Sequence, residues 1–114
     1  MARRWLDAFN AHRPDLVVEH FRDDVTATSP VIARLLPDSE GTLRSKSAVL
    51  SFYRQGLALV PELRFTLVEV LCGMDQITIV YRNQTGTLVA ETLTRDPAGM
   101  VRAVNVTYGV APPM

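Results

Sequence analysis

R-F-T-L-V-E-V-L-C-G-M-D-Q-I-T-I-V-Y-R-N-Q-T-G-T-L-V-A-E-T-L-T-R-D-P-A-G-M-V-R-A-V-N-V-T-Y-G, residues 64–109, is the stretch whose reading decides the fold. From Arg64 onward apolar side chains recur with a period of two, the signature of strands that turn alternate residues to opposite faces. Strands are predicted near 64–72, 76–83, 86–95 and 100–109, separated by Gly73-Met74-Asp75, Gln84-Thr85-Gly86 and Asp96-Pro97-Ala98-Gly99. Connections this short join antiparallel neighbours, so the segment reads as a meander.

Upstream the period is helical. Trp5, Ala8, Phe9 and His12 mark one face of a short helix that ends before Pro14. A second helix starts at Pro14, where a missing N–H costs nothing, carries Leu16, Val17, His20 and Phe21 on its stripe, and ends at Asp23-Asp24. V-T-A-T-S-P then reads as a short strand stopped by Pro30, followed by a loop over 29–44. Four aliphatics in that loop, Val31, Ile32, Leu35 and Leu36, either complete the core or cover a cavity. Ser45 or Ser47 caps a third and longest helix with the stripe Ala48, Val49, Phe52, Tyr53, Gly56, Leu57 and Val60, terminated by Pro61. Helices first and strands after predict a segregated α+β architecture. A strongly curved sheet wrapped around such helices would leave a pocket between the two layers.

The 114 residues support one domain, 1–114, with a single core. Twelve basic and twelve acidic side chains cancel, which argues against a nucleic-acid partner, since such proteins carry a basic excess or stripe. The chain has neither an apolar run long enough to span a membrane nor a secretory h-region near its start, so a cytoplasmic location and no membrane partner are expected. A single cysteine, Cys72, cannot close an intrachain disulfide. His12 and His20 match no metal-ligand spacing and read as satisfied or surface histidines, and the six glycines are isolated, so neither metal nor nucleotide cofactor is expected. Apolar residues on both faces of the late strands would leave one sheet face uncovered, from which a homodimer through the outer sheet face is expected.

Glu91 is the most informative single residue. It is the only charge in G-T-L-V-A-E-T-L-T, residues 86–94, where Thr87, Val89, Glu91 and Leu93 share one face and Leu88, Ala90, Thr92 and Thr94 the other. Both faces are largely apolar. One reading is a carboxyl whose pKa rises by desolvation, able to donate a hydrogen bond or a proton. The other is an accessible carboxylate or the partner of Arg82 or Arg102. Trp5, Tyr53, Tyr81 and Tyr108 are aromatics with one polar tip, suited to a pocket wall or to ordinary core. Phe9 and Phe52 lie on the helical stripes, and Val104 and Val106 share a strand face with Tyr108.

The runs A-F-N-A-H at 8–12, H-F-R-D-D-V at 20–25, S-P at 29–30, R-S-K-S-A-V-L-S-F-Y at 44–53 and D-P-A-G-M-V at 96–101, before Tyr108-Gly109, resemble the nuclear transport factor 2-like superfamily, in its SnoaL-like and ketosteroid-isomerase-like branches. The resemblance spans nearly the whole chain. It implies a cone-shaped α+β barrel, a strongly curved and mostly antiparallel sheet around N-terminal helices, enclosing a pocket for a small hydrophobic molecule. It also implies frequent dimerisation through the outer sheet face. The isomerase branch's carboxylate base falls here at Ser29, which cannot serve as that base, and its oxyanion-binding tyrosine falls at Trp5, whose indole N–H could donate one hydrogen bond. Its protonated acid matches Glu91 and its supporting tyrosine matches Tyr53. Glu91 and Tyr53 are therefore the candidate catalytic pair, with Trp5, Phe9, Ser29, Phe52, Tyr81, Val104, Val106 and Tyr108 as candidate ligand contacts. Two functions follow as expectations: cofactor-independent proton transfer of isomerase, cyclase or lyase type, or a non-catalytic module for small-ligand binding or dimerisation.

Overall fold

The computed structural model describes residues 2–110. Its elements in chain order are α1 (Ala2–Asn10), α2 (Pro14–Val17), β1 (Phe21–Thr28), α3 (Pro30–Leu35), a 3₁₀ turn (Pro37–Ser39), β2 (Thr42–Arg44), α4 (Lys46–Leu59), β3 (Thr66–Cys72), β4 (Gln76–Arg82), β5 (Leu88–Arg95) and β6 (Val101–Tyr108). The six strands form one curled, open sheet in the order β2-β1-β6-β5-β4-β3. β3 to β6 are the antiparallel meander that the period-two stretch predicts. The α+β architecture is therefore as the sequence implies.

α1 buries Trp5, Leu6, Ala8 and Phe9 against the sheet. Its C-terminal end is fixed by Asn10, whose amide donates to the Phe65 carbonyl at 2.8 Å and accepts from the Phe65 N–H at 2.7 Å. This side chain imitates a neighbouring strand and docks the lead-in to β3 onto the helix. His12 contributes a second tie, its Nε2 lying 3.0 Å from the Leu63 carbonyl oxygen, as suits a satisfied histidine. α4 begins as expected, with Ser45 as N-cap accepting from the Ala48 N–H at 3.1 Å.

Two segments differ from the sequence expectation. The second helix is one turn and does not reach Asp23-Asp24; Phe21, Asp23 and Asp24 all lie in β1. Val17, Val18 and Phe21 fit helical spacing, but the chain turns after Val18, and Phe21 pairs in parallel with Val101 of β6. The pairing of Phe21 with Val101 takes the chain into the sheet at that point, so tertiary structure overrides the local pattern. The 29–44 segment is likewise not a loop but α3, the 3₁₀ turn and β2 in succession. Ser29 is the N-cap of α3, accepting from the Val31 N–H at 3.1 Å, and Pro30 occupies the first helical position where its missing N–H is harmless. S-P was thus a helix start as well as a strand stop.

The continuous core comprises Leu6, Val18, Phe21, Val25, Val49, Ile79, Tyr81, Val89, Leu93, Val101 and Val104, among others. Burial in β4 and β5 alternates strictly over Ile77–Tyr81 and Val89–Leu93, which defines the concave face. Gly86, at φ 81°, closes the β4–β5 turn by donating to the Asn83 carbonyl, a conformation that any side chain would strain. No helix among the described residues is long and apolar enough to cross a membrane.

Candidate functional site

Between the concave sheet face and α1, α3 and α4 lies a cavity of about 700 Å³, a size suited to a small organic molecule. Every element around it contributes: Phe9 from α1, Ser29 after β1, Val31, Ile32 and Leu35 from α3, Phe52 and Tyr53 from α4, Tyr81 from β4, Glu91 from β5, and Val104, Val106 and Tyr108 from β6. The depth gradient is clear. Phe9, Ala27, Val49, Tyr81, Val89, Glu91 and Val104 are buried, whereas Arg34, Leu35, Leu59, Gln84 and Thr85 are exposed and form the mouth.

Glu91 occupies the inner face because alternation in β5 pairs it with Ile79 on one side and Val106 on the other. It is 5% exposed. Its Oε1 accepts from the Tyr81 hydroxyl at 2.7 Å, and its Oε2 is buried without a partner among the described residues. Neither arginine neutralises it: Arg82 donates to the Gly86 carbonyl, and Arg102 lies 3.9 Å from Asp75. Burial pushes the Glu91 carboxyl up to about 7, opposed by the Tyr81 hydrogen bond, which favours the ionised form. Near neutral pH both forms are populated, so the same group can offer an O–H donor or a carboxylate acceptor at the cavity wall.

The phenols respond in a coordinated way. Tyr53 and Tyr81 are pushed well above the ordinary tyrosine value by burial first and by the Glu91 charge second, so both remain protonated donors. Tyr108 is also raised by burial, while Ser29 and the positive Arg34 pull it back. Phe65 stacks on Tyr81 at a centroid distance of 4.1 Å, and Phe9 meets Tyr53 edge-on at 5.1 Å, holding the two phenols in place through packing.

The structure brings together Glu91, Tyr53, Phe9, Ser29, Phe52, Tyr81, Val104, Val106 and Tyr108 around one cavity. Trp5 is the exception. It packs against Phe9, Phe65 and Tyr81 at centroid distances of 4.7, 6.4 and 5.9 Å but does not line the cavity, and its indole N–H has no partner among the described residues. The indole is wide enough to fill the layer between α1 and the sheet, so it serves packing there and not the wall.

Residues 2–108 match the profile of the SnoaL-like domain. A SnoaL-like protein of unknown function from Burkholderia thailandensis has a solved structure that is 32% identical, with 96% of this chain and 91% of that one covered and a TM-score of 0.90. This chain belongs to the SnoaL-like domain family. A candidate ketosteroid isomerase from Kribbella flavida shares the fold at 18% identity, covering 99% of this chain and 79% of that one with a TM-score of 0.75. A candidate polyketide cyclase from Sinorhizobium meliloti does so at 11% identity, covering 91% and 90% with a TM-score of 0.74. No curated protein matches the sequence.

Sequence reasoning missed the mouth of this SnoaL-like domain's cavity. Arg34 and the polar turn Asn83, Gln84, Thr85 and Thr87 all line it. A signal existed for Arg34, the one charge in V-I-A-R-L-L at 31–36, by the same logic that singled out Glu91. The turn residues carried no such signal, because polar residues in a tight turn are the rule.

Proposed function

We propose that this SnoaL-like domain binds a small hydrophobic carbonyl or enol-forming molecule and moves a proton on it without a cofactor, with Glu91 as the acid/base. The observation that carries this reading is the buried carboxyl of Glu91, a residue that lines the cavity and whose Oε2 has no partner among the described residues. A buried polar atom without a partner is costly unless something occupies the site in the working state.

The chemistry that suits the geometry is a one-residue proton shuttle. Ionised Glu91 takes a proton from a carbon next to a carbonyl; the C–H electron pair becomes the new C=C bond, and the carbonyl π pair moves onto oxygen. A phenol that keeps its proton, Tyr53 or Tyr108, donates a hydrogen bond to that oxygen. Glu91 then returns the proton to another carbon or to the oxygen, which restores its own charge state. A group with a pKa of about 7 is well matched to both half-steps near neutral pH.

A second reading, a ligand-binding domain without catalysis, is supported by Ser29, whose hydroxyl is occupied in capping α3 at the position where the isomerase branch carries its base. Deuterium incorporation into a panel of enolisable cyclic ketones in D₂O, followed by NMR, separates the two. Catalysed exchange by the wild type that Glu91→Gln abolishes would establish the proton shuttle. Saturable binding with no exchange above background by the wild type would leave the binding role.

A further inference from the structure

Besides its three phenols, the cavity wall carries a carboxyl and a guanidinium that differ in charge and depth. Glu91 lies at the buried end, and Arg34 is the one cationic residue on the wall among the described residues, exposed at the mouth. Arg34 belongs to no ion pair among the described residues, and the acidic side chains that follow it, Asp38 and Glu40, do not line the cavity. Its charge reaches into the site, since it counteracts the effect of burial on Tyr108.

The polar turn opposite in sequence adds donors. Asn83 Oδ1 already accepts from the Thr85 N–H, the Thr85 hydroxyl and the Thr87 N–H, at 3.0, 2.8 and 3.0 Å. Its acceptor capacity is spent inside the turn, so what Asn83 can offer a ligand is its amide N–H groups. A mouth with a guanidinium and amide donors is chemically complementary to an anion, while the wall below it is aliphatic and aromatic.

We propose that the ligand of this pocket is amphipathic: an apolar body fills the cavity, a neutral oxygen reaches Glu91, and a carboxylate, sulfonate or phosphate group stays at the mouth on Arg34. The inference rests on the pocket reading above and adds the anionic end. A structural alternative for Arg34 is simple solvation at the C-terminal turn of α3, where a cation meets the helix dipole.

Two fluorescent probes of similar shape test it: 8-anilinonaphthalene-1-sulfonate, which is anionic, and N-phenyl-1-naphthylamine, which lacks the sulfonate. The wild type is expected to bind both at one mutually exclusive site, and Arg34→Gln is expected to weaken the sulfonate about 5- to 10-fold while changing the neutral probe less than about twofold. Arg34→Lys, which keeps the charge, should recover most of the loss. Equal affinity of Arg34→Gln and wild type for the sulfonate, or an equal loss for both probes, overturns the anionic end while leaving the pocket intact. Failure of the wild type to bind either probe removes the pocket reading and this inference with it.

Discussion

β3 carries T-L-V-E-V-L at 66–71 and β5, with the residue before it, T-L-V-A-E-T-L at 87–93, yet their glutamates end on opposite faces of one sheet. Glu91 is buried on the concave face between β4 and β6. Glu69 is exposed on an edge strand. In β3, Leu67 opposes the buried Tyr81, but Val68 is an extra residue and Glu69 then opposes Val80 on the outer face. Cross-strand partners share a face, so without that bulge simple alternation would have turned Glu69 inward with Leu67. One inserted residue thus separates a solvated carboxylate from a pocket acid, and no propensity of glutamate itself distinguishes them.

The largest test of this contrast is catalytic. Glu91→Gln should lower ketone exchange by about 10²–10⁴-fold, the usual worth of acid–base assistance, with the fold retained by circular dichroism. Glu69→Gln should leave exchange and probe affinity unchanged. Equal losses from both variants would mean that the two strands are not distinguished by burial.

The second test is thermodynamic. Glu91 holds its proton more tightly in the folded protein, about 7 against 4.5, so the native state binds more protons than the unfolded chain between those values. Stability should therefore fall as pH rises from about 4.5 to about 7 and level off above, by an amount on the order of 3 kcal/mol. Urea unfolding at pH 5 and pH 8 should show this loss in the wild type and its near-absence in Glu91→Gln, which would then be the more stable protein at pH 8. A wild type as stable at pH 8 as the Gln variant would mean that the carboxyl is not desolvated.

The outer face supplies the third. Leu71 is 51% exposed and shares that face with Thr78 and Val80 of β4 and with Ala90 and Thr92 of β5. We expect a second copy of the chain to cover it, and Leu71→Asp to raise the dimer dissociation constant by about tenfold or more in sedimentation equilibrium. A wild type that sediments as a 12.7 kDa monomer at micromolar concentration would refute the dimer. The smallest effect is expected at α3: Leu35 lines the cavity and Leu36 does not, so Leu35→Ser should weaken the neutral probe about two- to fivefold and Leu36→Ser should not.

Much of the fold was legible because its signals are local. The period-two run at 64–109, the turns at Gly73, Gly86 and Gly99, and the Ser45 cap all act within a few residues of themselves. The site was legible where one residue broke a pattern, as Glu91 does in β5. Trp5 stayed open between wall and core because a helical stripe says that a side chain is buried, not whether it meets a cavity or fills the layer beside it. The 29–44 segment was misread because short helices of β-branched residues carry weak periodicity, and Phe21 because its spacing suits a helix until β6 offers a strand.

By itself the sequence determined the α+β class, the meander and the presence of one odd carboxylate in an apolar strand, since alternation and turn chemistry are properties of neighbouring residues. Only the tertiary structure decided that β1 lies parallel to β6, that the Val68 bulge turns Glu69 outward, that Tyr81 is the sole partner of Glu91 among the described residues, and that Arg34 stands at the same cavity. Those outcomes depend on pairings between residues far apart in the chain, and desolvation, which makes Glu91 chemically distinct from Glu69, exists only once the pairings have closed around it.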